Sequence, residues 1–512
     1  MPVILPSISS PRWSLFLRTL LSASLCFLIA ACGGGGGDPG PPTTVNDDGP
    51  PIRPAPDPSL RGNAELLAKR GDPLEGENFV ANIEDAAFAP DGTAAFIATL
   101  NGPEELRAIV RRSPDGTRTT LFGPGNAPDG VVLPALSRVR MAPSGEIAFL
   151  SGESLDEMKL HLIRDDETLT LSGLEGAPIS RREARILGSY RIGGNGVVSI
   201  VAGGGDCVAE PSGDSIRYEC QLSIWVRDAN GIQRVEHEEV ELGVGRTSVV
   251  RLAINPAGDL FFSIPSQRGR PVLLRWTDGA ATALLREGEE IEGVGFFRRV
   301  TVSAANTARE MLVGVSPPIA LEGESVKNRL GILGPDGNYV EVAREGDALD
   351  GEETWLLRGI GIADTGSVLF EARSVAAGPI NTHAAALWVA DELGVHKVVR
   401  EGESLVGADD GDIVLRITGS RFNAAGDTIF VVEIGDPGDE TLRIRDVRAI
   451  LRRADGTFVR IASSADAIRL GTISDLTITG FLDDGSSLLI AERGSSSDRA
   501  LLRGGREPFA GD

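Results

Sequence analysis

Asn423-Ala424-Ala425-Gly426-Asp427-Thr428-Ile429-Phe430 reads as a tight hairpin turn that runs straight into a buried strand. A small or amide residue opens it, and Gly follows three positions later. Glycine accepts positive φ without a Cβ clash, which a turn this short requires. The residues after it are apolar or β-favouring and end on Phe, as a half-buried strand would. The same eight-residue frame returns at 89–96, 142–149, 255–262 and 363–370, with weaker copies at 193–200 and 482–489. Its turn glycines are Gly92, Gly145, Gly196, Gly258, Gly366, Gly426 and Gly485. One interval is double length, and a degenerate copy around 303–313, with Asn306 in the turn, fills it. A recurrence every ~56 residues is the period of propeller blades or solenoid repeats.

Each period contains three further strand signals. One strand precedes the frame, as at 297–302. A third follows a loop of variable length, as at 272–276, 385–389 and 449–452. Then come short turns such as Pro114-Asp115-Gly116, Asp278-Gly279, Pro335-Asp336-Gly337 and Asp455-Gly456. Asp-Gly between apolar runs is a strong hairpin signal. A fourth strand closes the unit, as at 281–286, 339–344 and 395–400. Four antiparallel strands per repeat make a propeller blade. The last unit stops after a third strand at 499–503, whereas residues 64–70 read as a fourth strand with nothing before it. The fold expected is therefore an all-β, eight-bladed propeller over residues 60–512, with the N-terminal strand completing the last blade. A solenoid would need capping repeats, and none is visible.

Residues 1–31 carry an export signal: Arg12 and Arg18 flank an apolar run at 19–31 that is too short for a permanent span. It ends Ile29-Ala30-Ala31-Cys32, which resembles a bacterial lipoprotein processing box, so Cys32 is the expected lipidation site. Residues 32–59 hold a Gly run and then Pro, Asp and Thr, a composition that makes a tether and cannot bury a core. Gly33 after the Cys fits the sorting of outer-membrane lipoproteins, so the expected location is the bacterial envelope, periplasmic or surface-facing. The formal net charge of −23 excludes a nucleic-acid partner, which needs a cationic footprint. It favours a cationic one, either a protein or another ligand.

Of four cysteines, Cys26 leaves with the signal. Cys207 and Cys220 remain, in a segment at 203–221 that reads as an inserted loop between the second and third strands of blade 3. In an oxidising compartment cysteines this close form a disulfide.

With the repeats in view, the chain resembles the bacterial tandem-repeat family named for its N-x-x-G-x-x-A-F motif, whose members carry various anchors. The motif is best kept at Gly145 with Ala148-Phe149, at Gly92 with Ala95-Phe96, and at Asn255 with Gly258 and Phe262. The Pro90-Asp91-Gly92 variant is also similar to repeats of TolB-like periplasmic propellers. Neither resemblance implies a particular activity.

Catalytic signatures are absent from the sequence: it has no Gly-x-Ser-x-Gly elbow, no HExxH and no P-loop. His161 and His396 fall on expected strands, which favours packed or solvent-facing imidazoles. Asp409-Asp410-Gly411-Asp412 lacks the spaced oxygens of a calcium loop and reads as an acidic turn. Trp225, Trp276 and Trp388 recur on third strands and read as packing between blades. No catalytic residue, metal site or cofactor is expected. The function expected is a binding or scaffolding module anchored in the envelope; the alternative is an extracytoplasmic propeller hydrolase or lyase, on a glycan or similar substrate, with loop-borne residues.

Antiparallel order decides where such a module would work. Turns after first and third strands share one end of the ring. Loops after second strands, at 203–221, 316–328, 373–384 and 434–447, share the other end with the connections between blades. Those connections repeat Gly-acid-x-apolar-x-Gly, which places Asp72, Glu289, Asp347 and Glu403 at equivalent positions on one rim. Variable loops on a rigid scaffold are where binding usually resides. The acids are the expected binding residues, although Asp and Glu at such positions also bond turn amides.

Overall fold

In a computed structural model, the described residues are 64–505, apart from 75–77, 102–105, 124–135, 153–157, 166, 172–177, 180–185, 195, 213–214, 237–250, 265–270, 318–326, 375–383, 406–411, 437–442, 465–472 and 494–497. They form eight principal antiparallel blades of four strands; seven join consecutive strands in hairpin order, one of these carrying an added two-residue strand at Ala348–Leu349, and the eighth takes its outermost strand from Ala64–Lys69. Blade 1 runs Val80–Phe88, Ala94–Leu100, Arg107–Arg112 and Arg118–Phe122; blade 7 runs Ile413–Phe422, Thr428–Gly435, Ile444–Arg452 and Phe458–Ser463. The first strands of successive blades touch one another all the way round, from Val80–Phe88 to Ile473–Phe481 and back. They are therefore the innermost strands of a closed eight-bladed propeller.

Closure follows the sequence expectation. The strand Ala64–Lys69 joins the edge of Asp498–Gly504, with Ala64 opposite Gly504 and Lys69 opposite Ala500. A Cβ on Gly480 in blade 8 would lie 2.7 Å from the Phe88 ring of blade 1, so the two innermost strands meet closely there.

The repeated frame explains both turn and core. In all eight copies its first residue donates N–H to the carbonyl four residues on and accepts from the residue three on, as Asn423 does with Asp427 and Gly426. The turn glycines hold φ between 68° and 93°. In the fifth copy Arg309 takes that place at φ 66°, a conformation with a Cβ penalty that the glycines avoid. The last residue of the frame (Phe96, Phe149, Ile200, Phe262, Val313, Phe370, Phe430 or Leu489) is fully buried in every blade. Apolar clusters then fill each interface between consecutive blades, including the one between blades 8 and 1. Trp225, Trp276 and Trp388 are buried in these clusters.

Asparagine at the start of the frame does more than turn the chain. Asn255 donates Nδ2–H to the carbonyl of Asn306 at 3.3 Å, Asn306 to that of Ala363 at 3.1 Å, and Asn423 to that of Leu482 at 2.8 Å. Each bond reaches the same position of the next blade while Oδ1 accepts an N–H within its own turn. These buried amides tie adjacent blades, each adding a second donor to a carbonyl that already accepts the N–H of its own turn.

One expectation is corrected. Residues 203–221 are not an open loop: the second and third strands of blade 3 run on as Val198–Ser212 and Ser215–Asp228. Ile216, Tyr218 and Cys220 alternate with Arg217, Glu219 and Gln221, a period-two pattern that favours pairing over a loop. Gly204 pairs with Gln221 and, after a bulge, Val208 pairs with Glu219, so the backbone brings Cys207 alongside Cys220. Their side chains, like Cys32, the signal and the tether, lie outside the described residues. The same holds for most of the loops at 316–328 and 373–384.

Candidate functional site

The connections between blades are small β-hairpins built on one plan. Gly71, Gly288, Gly346 and Gly402 all sit at φ between 85° and 89°. The acid follows, and the residue after it pairs back across the hairpin: Pro73 with Phe79, Glu290 with Phe296, Ala348 with Glu353 and Ser404 with Ile413. Asp72, Glu289, Asp347 and Glu403 thus occupy equivalent places, at the end of the ring opposite the frame turns.

Their carboxylates have local partners. Lys69 donates its backbone N–H to Asp72 at 2.9 Å, Arg286 to Glu289 at 2.9 Å, and Arg344 to Asp347 at 2.8 Å. Asp72 also receives the Arg118 guanidinium at 2.8 Å. Glu403 departs from the pattern by accepting side chains, Lys397 at 2.8 Å and Arg400 at 3.2 Å. Three of the four acids are therefore turn caps, and the fourth belongs to a charged cluster.

That cluster crowns blade 6, whose strands are Glu352–Ile362, Val368–Ser374, Ala384–Asp391 and Gly394–Arg400. Arg400 bonds Glu352 and Glu403 and lies 3.3 Å from Ser374 Oγ, which itself donates to Glu352 at 2.6 Å. Lys397 bridges Asp350 and Glu403. Leu349, Asp350, Glu352, Trp388 and Arg400 line a small cavity there. The Lys397 hydrogen bond and charge hold the Asp350 carboxyl below its ordinary range.

Sequence reasoning missed the aromatic part of this face. Phe79 and Phe296 stand at the same hairpin position, 44% and 58% exposed, and Trp355, at the base of the next hairpin, is 41% exposed. The signal was available: each lies seven or eight residues beyond its acid. Their neighbours inward, Val80, Phe297 and Thr354, are buried and anchor the hairpins.

A contact in blade 2 has the look of a nucleophile and its base. Ser151 Oγ lies 2.7 Å from His161 Nε2, and Nδ1 lies 3.0 Å from Thr170 Oγ1. Yet His161 is wholly buried, stacked on Phe149 with centroids 4.9 Å apart. Burial, assisted by Lys159, lowers its pKa to about 4. No substrate reaches it, so it is a neutral core residue. His396 lies 3.2 Å from Asp391 on the outermost strand of blade 6. His237, His383 and residues 409–411 lie outside the described residues. Among the described residues no group of three or more His, Cys, Asp or Glu is placed to hold a metal ion.

Residues 59–422 match the model of a family of unknown function, DUF7453. The chain belongs to that family. No curated protein matches it. Among solved structures it is similar to prolyl oligopeptidase B from Galerina marginata, at 9% identity and TM-score 0.39 over 70% of this chain and 46% of the other. The family member thus spans about half the length of that enzyme. It is also similar to the Dos1 propeller, at 10% identity and TM-score 0.39 over 86% and 98% of the two chains. A third match is polysaccharide lyase Uly1, at 10% identity and TM-score 0.40 over 74% and 92%.

Proposed function

We propose that this DUF7453 member is a binding module tethered to the bacterial envelope, presenting its blade-connection face to a cationic protein partner. The observation that carries the reading is the pairing of exposed aromatics with acids on the connection hairpins: Phe79 beyond Asp72, Phe296 beyond Glu289 and Trp355 beyond Asp347. Aromatic side chains are enriched at protein interfaces and serve as anchors there. The acids cap the hairpins and contribute a long-range field, while the aromatics supply contact. The anchor is a lipid on Cys32 in the outer membrane, and Cys207 and Cys220 form a disulfide that stiffens the long hairpin of blade 3. Ala64 pairs with Gly504, which also pairs with Ser487 just after a frame turn, so the chain enters the ring at the turn end.

The test is cross-linked capture from the native envelope with the full chain. Replacing Phe79, Phe296 and Trp355 by Ser should lower capture at least tenfold while the circular dichroism spectrum is unchanged. Leu393→Ser, 71% exposed at the turn end, should leave capture intact. Loss with Leu393→Ser alone would place the working face at the wrong end. Cys32→Ala should abolish labelling by a fatty-acid probe, and label retained on that variant would remove the anchor from the reading.

A further inference from the structure

The innermost strands carry a feature with the opposite sign to the rest of the molecule. Two residues before the repeated frame, Arg140, Arg191 and Arg421 occupy the same position in blades 2, 3 and 7. Each guanidinium donates to the carbonyl of the residue before it: Val139 at 2.6 Å, Tyr190 at 3.4 Å and Ser420 at 3.0 Å. One register and one contact therefore aim three side chains alike. In the other five blades this position holds Ala87, Ala253, Ala304, Gly361 and Gly480, which add almost no side-chain volume.

The charges of these arginines act on one another from different blades. Arg421 in blade 7 feels the charges of Arg140, Arg191 and Arg358, from blades 2, 3 and 6. Arg191 feels Arg140 and Arg138. Arg191 and Arg421 are open to water although they sit on the innermost strands. Burial first, and then these like charges, push the pKa of both below the ordinary arginine value. Carboxylates reach the edges of the group only, with Asp85 3.3 Å from Arg140 and Glu371 3.8 Å from Arg358. Among the described residues no carboxylate pairs with Arg191 or Arg421. In a chain of net charge −23, the two guanidiniums of Arg191 and Arg421 kept without a carboxylate partner among the described residues are a specific arrangement and not general basicity.

We propose that the axis of the propeller is a binding site for a small multivalent oxyanion, held by Arg191 and Arg421 and flanked by Arg140 and Arg358. Guanidinium forks match carboxylate and phosphate oxygens with paired hydrogen bonds, and bound anion removes the repulsion among them. The site is distinct from the connection face and stands or falls independently of it.

The experiment follows thermal unfolding and calorimetric binding of the full chain with pyrophosphate in one arm and citrate in the other, each against sodium chloride of equal ionic strength. Binding by either arm supports the site, and the stronger arm tells phosphate from carboxylate. At a hundredfold excess over Kd, the melting temperature should rise by ~3 °C for a domain of this size. The double variant Arg191→Gln, Arg421→Gln should lose the response and melt no lower than wild type, because it removes repulsion. Arg358→Gln, at the exposed edge, should weaken binding about tenfold and serves if the double variant misfolds. No response from wild type in either arm, or an equal response from both variants, overturns the proposal.

Discussion

Arg400, partly buried, and Arg421, open to water but desolvated by its surroundings, lie in neighbouring blades and meet the cost of desolvation in opposite ways. Arg400 is enclosed by Glu352, Glu403 and Ser374. Burial pulls its pKa down, but the two carboxylates outweigh that and raise it. Arg421 bonds its neighbour's carbonyl and otherwise meets burial and three more arginines. The first arrangement ties four elements of blade 6 together. The second stabilises nothing in the folded chain by itself. A structure that keeps an uncompensated charge usually keeps it for a ligand, since a rule broken locally marks a functional site.

His161 offers a third solution, remaining neutral, and gives the largest effect. Its folded pKa of about 4 lies below the ordinary 6.5. The unfolded chain therefore takes up the proton first as pH falls. Stability from this residue is fully present above pH 6.5 and is lost as pH falls toward 4. The loss amounts to about 3 kcal/mol. His161→Gln should flatten that part of the urea-denaturation profile, and parallel profiles would mean that the imidazole charges inside the fold.

Arg400→Gln should come next, costing about 2 kcal/mol because Glu352 and Ser374 lose their partner. Adding Glu352→Gln should recover part of that. Burial raises the Glu352 carboxyl, but Ser374 and Arg400 prevail and hold it below 4.5. Its contribution is therefore present above that pH and lost as pH falls through the lower folded value, so the gap between wild type and Arg400→Gln should close in acid. The smallest effect should be that of Arg421→Gln, between neutral and ~0.5 kcal/mol stabilising. A cost as large as that of Arg400→Gln would show that Arg421 is structural, and would erase the contrast.

The fold was legible because its signal is local. Gly426 and its equivalents state the turn, and the residue four places on states the core, so eight imperfect copies reinforce one another. Even the copy without Gly was legible from its spacing, and Arg309 adopts the conformation that Gly would have taken. The cross-blade bonds of Asn255, Asn306 and Asn423 were not, because they link residues more than fifty positions apart. The arginines at the axis escaped for the same reason: each alone is an ordinary strand residue. Aligning the position two residues before the frame would have found them, since it holds only Ala, Gly or Arg. Blade 3 misled because Gly203, Gly204 and Gly205 read as a loop while the alternation after them specified strand.

Ring closure by Ala64–Lys69 also sets an order in time. That strand leaves the ribosome well before its partner Asp498–Gly504. Seven blades have all their strands before blade 8 can be completed. Until then one strand waits without a partner, and such an edge invites pairing with another copy. Joining ends so far apart is slow, yet the entropy of closure grows only with the logarithm of the separation, about 0.6 kcal/mol for each doubling. A strand placed so far in sequence from its partner thus burdens the schedule of folding far more than the stability of the finished ring.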